Sequence, residues 1–167
     1  MANKEINIPM TNALRALNAA KGVKYEVRTY TWTPHGGTIE ASRELGLDHH
    51  ATIKTIILED ETKTPFVCLM HGDCEISTKN LARARGVKTV QTCDPKVADR
   101  HSGYHVGGTS PFGTRKRMKV YVEKSIYNLP EIYINAGHRG ILVVMNPADL
   151  DVVLKGLTIP VTVACPA

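Results

Sequence analysis

The stretch Tyr104–Lys119 consists of a glycine-rich loop (the glycine loop) that is followed directly by a block of positive charge. Gly107 and Gly108 permit backbone conformations that other residues resist, and they let a ligand approach main-chain N–H groups closely. Four cations with no acid between them follow within five residues, namely Arg115, Lys116, Arg117 and Lys119. N–H donors beside such a cluster suit an anionic ligand or a developing oxyanion. A glycine hairpin with a merely solvated basic end is an equally good interpretation of the composition alone.

Lys54 is the single side chain to which we assign chemistry first. It belongs to the β-branched run Ile53–Leu58, which predicts a central strand. Because side chains alternate along a strand, Lys54 shares a face with Ile56 and Leu58. A lysine on such a face either extends its ammonium group to water at the rim of the sheet or uses its charge in a pocket. The first outcome is the commoner one, and the strand pattern leaves both open.

The seven histidines raise the question of a metal site. His71 and Cys74 have the spacing of ligands but no matching second pair, and a glycine between His101 and His105 disfavours a helical ligand pair. We therefore expect no metal and no other cofactor.

The chain offers no recognisable side-chain nucleophile. Cys68 lies in an apolar strand, where a thiol is usually inert packing. The sequence contains no nucleophile elbow, no P-loop and no dinucleotide fingerprint. This leaves a binding function, or catalysis by positioning in which water or the substrate itself supplies the attacking group.

Length and composition predict a single domain, residues 1–167. A net charge of +5 favours a polyanionic partner, while an aromatic content of 5% disfavours a broad base-stacking platform. The four cysteines form no Cys-x-x-Cys pair, and neither a signal peptide nor an apolar run of membrane-spanning length is present. These features predict a cytoplasmic protein with free thiols and no membrane partner.

Periodicity and turn residues predict many strands with short helices scattered between them. Thr11 and Ser77 are predicted helix caps, and Gly22 and Gly86 are the corresponding stops. The predicted fold class is α+β, with a curved, mixed central β-sheet flanked by short helices. Predicted helices cover residues 11–21, 38–45, 77–85, 94–101 and 146–154. Predicted strands cover residues 23–30, 53–58, 65–70, 87–92, 118–122, 131–135, 141–145 and 158–163, with a polar turn at 59–63.

Five landmarks follow one another along the chain in a recognisable order. They are the strand ending at Tyr30, the pair Lys54-Thr55 in a Lys-Thr-Ile-Ile-Leu strand, the helix begun by Ser77, the loop Ser102–Arg117 and the turn Ala136–Gly140. The loop follows the pattern Gly-Tyr-x-Val-Gly-Gly-Ile-Ser-Pro-x-Gly-x-Lys-Lys-Arg. In these features the sequence resembles the YbaK/ProX family of trans-editing aminoacyl-tRNA deacylases, and the likeness runs nearly from end to end.

The resemblance implies hydrolysis of mischarged aminoacyl-tRNA in a cleft of the curved sheet. The YbaK branch removes cysteine from tRNA(Pro), and related branches remove alanine or other small residues. By the resemblance, Lys54 is the essential lysine, Gly107 is a backbone donor near the scissile carbonyl, and Tyr30 is a cleft wall. Gly107 and Gly108 are then the oxyanion candidates, and the four cations would steer tRNA. Substrate contacts are implied at Thr55, Thr109, Ser110, Pro111, Asn135, Gly137 and Arg139. Mischarged tRNA(Pro) and prolyl-tRNA synthetase are the implied partners.

Three positions depart from the family pattern and border the implied amino-acid pocket. Thr109 replaces the usual isoleucine, Asn135 stands where serine is common, and Gly37 falls where a bulky aromatic residue is frequent. Because a pocket distinguishes small side chains by only about 1–3 kcal/mol per methylene, such changes can redirect specificity. Two alternatives stay open: a module that binds an aminoacyl-tRNA or nucleotide end without hydrolysing it, and a metal-dependent hydrolase.

Overall fold

The computed structural model describes residues 7–166, which form ten strands and five α-helices. The helices are α1 (Asn12–Ala19), α2 (Gly37–Leu45), α3 (Thr78–Arg85), α4 (Pro95–Ser102) and α5 (Asp149–Val153). The strands are β1 (Tyr25–Thr29), β2 (Thr52–Asp60), β3 (Pro65–His71), β4 (Cys74–Ile76), β5 (Val90–Thr92), β6 (Val120–Glu123), β7 (Ile132–Asn135), β8 (Ile141–Met145), β9 (Thr158–Val161) and β10 (Ala164–Pro166). Short 3-10 helices occupy His49–Ala51 and Lys124–Asn128. Within the described part of the chain, no helix is both long and apolar enough to cross a bilayer.

Eight of the strands form one mixed sheet in the order β1-β8-β7-β2-β3-β6-β9, with β5 also paired to β2. The pairs β1–β8, β7–β8, β2–β3 and β2–β5 are antiparallel, and β2–β7, β3–β6 and β6–β9 are parallel. Strands β4 and β10 form a separate two-stranded ribbon. The predicted fold class, α+β with a mixed central sheet and short helices, is confirmed.

Strand β2 lies at the centre of the sheet and carries Lys54. Along one edge it pairs with β3 from Ile53 to Glu59. Its other edge is shared, because β7 pairs only with Thr52 and Ile53, and β5 pairs only from Leu58 onward. Among the described strands, none covers this second edge between Lys54 and Ile57. The sheet therefore has a break at its centre, where, within residues 7–166, β2 has no strand neighbour on this edge and only the Ile57 carbonyl is used, by the Cys93 amide at 3.1 Å.

The two faces of the sheet support two separate hydrophobic clusters. In β3, Val67 and Leu69 point into the larger cluster, which includes Leu14 and Leu17 of α1. Phe66, Cys68 and Met70 point into the smaller cluster, against Leu81 of α3. Because both faces of β3 are covered, the strand is a continuous apolar run rather than an alternating one.

Local signals in the sequence place several element ends correctly. The Thr11 hydroxyl accepts from the Leu14 amide at 3.1 Å, and the Ser77 hydroxyl accepts from the Asn80 amide at 3.2 Å, so both predicted caps are confirmed. Gly86 ends α3 in the left-handed conformation. Helix α1 stops at Ala19 instead of reaching Lys21.

Two predicted segments are wrong and one strand is missing from the prediction, in ways that depend on tertiary contacts. Glu59 and Asp60 lie not in a polar turn but buried at the end of β2, where Asp60 binds Arg85 at 3.1 Å. The predicted strand 158–163 is really β9 followed by β10. The chain turns between them because Glu123 Oε1 accepts from the amides of Val163 and Ala164 at 2.9 and 2.8 Å. The partner of β10, strand β4, is absent from the predicted elements.

Candidate active site

A cavity of about 210 Å³ opens at the break in the sheet. The first half of β2, the start of α2 and the end of β7 supply much of its wall. The rest comes from the segment after β1, from β8 and from the glycine loop. Its lining residues are Tyr30, Trp32, Gly37, Thr38, Ala41, Thr52, Ile53, Lys54, Thr55, Ile56, Gly107, Asn135 and Leu142. The fold thus brings the lysine of β2 and the first glycine of the loop onto one cavity, although they are far apart in the chain.

Lys54 is half-buried in the cavity wall. Its ammonium group donates to the main-chain carbonyl of Cys74, the first residue of β4. This hydrogen bond fixes one N–H direction and leaves the other two donors of the ammonium group for a ligand. The strand pattern left open whether Lys54 extends into bulk water or lines a pocket, and in the structure it lines a pocket.

Gly107 has a backbone φ of 99° and lines the cavity. A Cβ atom at this position would lie 2.6 Å from Nε1 of Trp32, so glycine is required both for the backbone conformation and for the close approach. No hydrogen bond from the Gly107 amide is found within residues 7–166. This amide is therefore available to a ligand in the cavity.

Gly108 has a different role from the one expected. Its amide donates to the His105 carbonyl at 2.9 Å, and the residue is buried outside the cavity lining. A Cβ atom on Gly108 would lie 2.6 Å from the Arg139 amide nitrogen. Gly108 thus lets the glycine loop pack against the turn Ala136–Gly140, and its N–H is already used. Of the two glycine amides expected to donate to an oxyanion, the Gly108 amide already has a partner, and the Gly107 amide has none among residues 7–166.

The rim of the cavity is built by contacts among three loops. The Arg139 guanidinium stacks on the Trp32 ring at 4.1 Å, and its Nε donates to the Val106 carbonyl at 3.0 Å. The Tyr30 amide donates to the Gly140 carbonyl at 2.9 Å, and burial raises the pKa of the Tyr30 hydroxyl.

Trp32 was missed by sequence reasoning, although its position two residues after Tyr30 was a usable signal. Tyr30 does line the cavity, whereas Arg139 holds Trp32 in place from outside.

A second cavity of about 190 Å³ adjoins the first. The two share Thr55, Ile56, Gly107 and Asn135, and the second continues to Thr92, Cys93, Pro95, Ala98, Val106 and Thr109. Among the described residues, the buried atoms Thr55 Oγ1 and Asn135 Oδ1 have no hydrogen-bond partner. Native proteins rarely leave such atoms unsatisfied. Glu123 Oε2 is a third such atom but lies outside both cavities, so the cavities contain two of the three.

Three other predicted contacts shape the loops instead of lining a cavity. The Ser110 hydroxyl is buried and accepts from the Phe112 amide at 3.2 Å, and Pro111 is buried beside it. Gly137 gives room to the Tyr104 ring, whose nearest carbon would lie 2.7 Å from an added Cβ atom. These residues hold the glycine loop and its neighbouring turn in position. Thr109, by contrast, does line the second cavity, and its hydroxyl donates to the His105 carbonyl at 3.4 Å.

The four predicted cations are exposed on the surface that follows the glycine loop. The amides of Arg115 and Lys116 donate to the carbonyls of Ser102 and His101, at 2.9 and 3.0 Å, which ties the basic segment to the end of α4. Arg117 and Lys119 continue it toward β6. Helix α4 itself contributes Pro95 and Ala98 to the second cavity. The positive charge therefore lies beside the cavities and not inside them.

The thiols near the site are poor nucleophiles. Burial raises the pKa of Cys68 to about 12, with Glu123 adding to the effect. Burial and the neighbouring Glu59 raise the pKa of Cys93 to about 11. Both side chains are therefore protonated near neutral pH, and a neutral thiol attacks a carbonyl slowly.

Known proteins match this chain over most of its length. Residues 33–152 match the model of the aminoacyl-tRNA editing domain, a span that includes Lys54, Gly107 and Asn135. A protein of Enterococcus faecalis named as a candidate Cys-tRNA(Pro)/Cys-tRNA(Cys) deacylase, EbsC, is 29% identical over 138 residues, covering 82% of this chain and 84% of that protein. Proline–tRNA ligase of Burkholderia ambifaria is 26% identical over 135 residues, covering 78% of this chain and 23% of the ligase.

A solved structure shares the fold across nearly the whole chain. The crystal structure of the hypothetical protein APE2540 superposes with a TM-score of 0.82 at 19% identity, over 93% of this chain and all of that one (100%). The family match covers well over half of the sequence and includes the principal cavity residues, so the resemblance noted in the sequence is confirmed at the level of the family. The chain belongs to the aminoacyl-tRNA editing domain family.

Proposed function

We propose that this protein is a trans-editing deacylase that hydrolyses the ester between a small amino acid and the 3′ end of tRNA, with Cys-tRNA(Pro) as its first candidate substrate. The observation that carries the proposal is that Lys54 and Gly107 line one cavity and that the Gly107 amide has no hydrogen-bond partner among residues 7–166. The name of the Enterococcus faecalis relative supports the choice of substrate. The similarity to proline–tRNA ligase supports tRNA(Pro) and prolyl-tRNA synthetase as partners.

The chemistry assigned to the site is stabilisation and positioning. An aminoacyl ester is already activated, so the protein has to hold it, stabilise the oxyanion and admit an attacking group. The Gly107 amide would bind the developing oxyanion, a contribution typically worth about 2.7–4 kcal/mol for one donor. The Lys54 ammonium group would bind the terminal phosphate or ribose and favour negative charge as it develops.

The attacking group in this proposal is water or the substrate itself. When the substrate carries cysteine, its own sulfur forms a bond to the carbonyl carbon, the ester C–O bond breaks, and the thiol proton passes to the departing ribose oxygen. The cyclic thioester released in this step is then opened by water, which gives free cysteine. No metal and no protein nucleophile takes part in this route. The raised pKa values of Cys68 and Cys93 support it, because neither thiol is ionised near neutral pH.

The surface cations Arg115, Lys116, Arg117 and Lys119 would attract the tRNA backbone toward the cavities. The proposal treats residues 1–167 as one editing domain. The support for this assignment is that hydrogen-bonded strands connect β1 to β9 in one sheet, with the family match covering most of its strands.

A panel of charged tRNAs in single-turnover assays tests the proposal. We expect rapid ester loss from Cys-tRNA(Pro) or Ala-tRNA(Pro), little from Pro-tRNA(Pro), and the same rates after treatment with a chelator. Binding without ester loss on every member of the panel would overturn the deacylase proposal in favour of a binding module. Loss of activity in chelator, restored by added metal, would overturn the metal-free route.

A further inference from the structure

Three side chains that typically bind metals meet beside the turn between β3 and β4. They are His50, Asp73 and Cys74, whose ligand atoms all lie within 4.8 Å of one another. His50 Nδ1 lies 2.7 Å from Asp73 Oδ1, and Cys74 Sγ lies 3.5 Å from the same oxygen. None of the three lines either cavity of the candidate active site.

The fold holds this cluster together through close backbone packing. A Cβ atom at Gly72 would lie 2.6 Å from the carbonyl oxygens of His49 and Thr52, so only glycine lets the turn approach the 3-10 helix that carries His50. This approach brings Asp73 and Cys74, the next two residues, against the His50 ring.

The His50 ring is fixed by the buried side chain of His71. The two rings stack with centroids 3.7 Å apart and planes 7° from parallel. His71 Nδ1 lies 2.7 Å from the His50 carbonyl, which can only accept, so this nitrogen carries the proton. His71 Nε2 then accepts from the Ser125 hydroxyl at 2.6 Å. With both nitrogens of His71 used, it is a support for His50 and not a ligand.

We propose that His50, Asp73 and Cys74 form a zinc site, with water as the fourth ligand. Tetrahedral zinc with nitrogen, oxygen and sulfur ligands requires distances between ligand atoms of about 3.3–3.6 Å, from the usual zinc–ligand bond lengths. The sulfur–oxygen distance of 3.5 Å already satisfies this requirement. The nitrogen–oxygen distance of 2.7 Å has to open by about 0.6 Å to match the tetrahedral value. The Asp73 side chain is 45% exposed and is free to rotate by that amount.

The ligand set favours zinc over the common hard cations. A thiolate is a soft ligand that Mg²⁺ and Ca²⁺ avoid, whereas a mixed nitrogen, oxygen and sulfur set suits Zn²⁺. On binding, the Cys74 thiol loses its proton, and the charges of the thiolate and the Asp73 carboxylate balance those of the ion. The hydrogen bond between His50 and Asp73 is then replaced by one bond from each side chain to zinc.

The site lies next to the proposed catalytic lysine, because the Cys74 carbonyl accepts the hydrogen bond from Lys54. Zinc bound to the Cys74 sulfur leaves that carbonyl in place and fixes the turn that carries it. The inference is independent of the deacylase proposal, since the ion does not enter either cavity and its binding is measured without substrate.

Titration of the chelator-treated full chain with Co²⁺ tests the zinc site. We expect one equivalent to bind, with a thiolate-to-cobalt absorption band in the near ultraviolet and visible bands of four-coordinate cobalt, and Zn²⁺ to displace it. Cys74→Ser and His50→Ala should each weaken binding by at least about 100-fold. Cys93→Ser and His138→Ala are matched controls that change a half-buried cysteine and an exposed histidine away from strand β4, and they should bind like the parent.

Circular dichroism of each variant establishes that it is folded, and Asp73→Asn replaces any variant that is not. The absence of one-to-one binding at micromolar Co²⁺ or Zn²⁺ would overturn the proposal. Binding that keeps its thiolate band in Cys74→Ser, or that disappears in Cys93→Ser, would overturn it as well, because the sulfur would then come from another cysteine.

Discussion

At the scale of single residues, the candidate site holds two buried polar atoms that the described part of the chain leaves unsatisfied. Thr55 Oγ1 and Asn135 Oδ1 have no hydrogen-bond partner there, and both residues line the two adjoining cavities. An unsatisfied buried polar group costs about 1–3 kcal/mol of stability. The protein tolerates that cost at the place where a substrate would supply the missing partners.

Thr55→Val tests this interpretation, because valine keeps the shape of threonine and removes the unsatisfied hydroxyl. We expect the free energy of unfolding in denaturant titrations to rise by about 1 kcal/mol, while deacylation falls about tenfold for want of one hydrogen bond to the substrate. Thr52→Val is the matched control on the same strand, since the Thr52 hydroxyl donates to the Asp48 carbonyl at 2.9 Å. The control should lose stability. Equal destabilisation by the two substitutions would contradict the assignment of Thr55.

At the scale of elements, the site depends on a break in the sheet and on a tightly packed rim. Strand β2 pairs with β7 at its start and with β5 at its end, so no strand pairs with that edge between Lys54 and Ile57. The glycine loop then closes over that edge and packs against the turn Ala136–Gly140 with no space for a side chain at Gly108. The position of the Gly107 amide is therefore determined by the contact between the loop and the turn.

Gly108→Ala should separate the loop from the turn. Its Cβ atom would lie 2.6 Å from the Arg139 amide nitrogen and 2.7 Å from the His138 carbonyl carbon, both of which are main-chain atoms that cannot move aside cheaply. We expect a loss of about 1–3 kcal/mol in stability and a marked fall in kcat/KM. Gly156→Ala is the control, because an added Cβ atom there would meet no atom within 4 Å and would carry only the backbone cost of a φ of 72°. A Gly108→Ala variant as active as Gly156→Ala would refute the role of the rim.

Local patterns in the sequence predicted those parts of the fold that are determined locally. The caps at Thr11 and Ser77 and the strand Ile141–Met145 follow from side-chain type and periodicity, and the structure contains them. Strand β4 escaped prediction because its three residues become a strand only by pairing with β10 near the other end of the chain. The use of the Gly108 amide within the loop and the stacking of Arg139 on Trp32 are also tertiary facts with no local signature.

At the scale of the whole molecule, the exposed basic segment lies outside the cavities in which we propose that the reaction takes place. The net charge of +5 includes an exposed basic segment tied to the end of α4, beside the second cavity. The cavities themselves contain one cation, Lys54, among their lining residues. A polyanion would therefore be attracted by the surface and would place only its end in the cleft.

Reversing the charge of Arg115 and Lys116 together tests this division of roles. We expect a higher KM for full-length charged tRNA and a flatter dependence of binding on salt, by about 0.7–0.9 in the logarithmic slope for each phosphate that the variant no longer neutralises. A short aminoacylated oligonucleotide should be hydrolysed at nearly the parent rate, because the cavities are unchanged. The same reversal at the exposed Lys124 and Lys155 is the control. If both double variants lose affinity alike, net charge and not the basic segment attracts tRNA.

The account depends most directly on the pairing of the Lys54 ammonium group with the Gly107 amide across one cavity. Its decisive measurement is the single-turnover rate of ester loss from Cys-tRNA(Pro) by Lys54→Ala, beside Lys88→Ala as a control at an exposed lysine. The account predicts a rate at least about 100-fold below the parent for Lys54→Ala, with an unchanged circular dichroism spectrum and Tm, and a parental rate for Lys88→Ala. A folded Lys54→Ala variant that releases cysteine at the parental rate would contradict it.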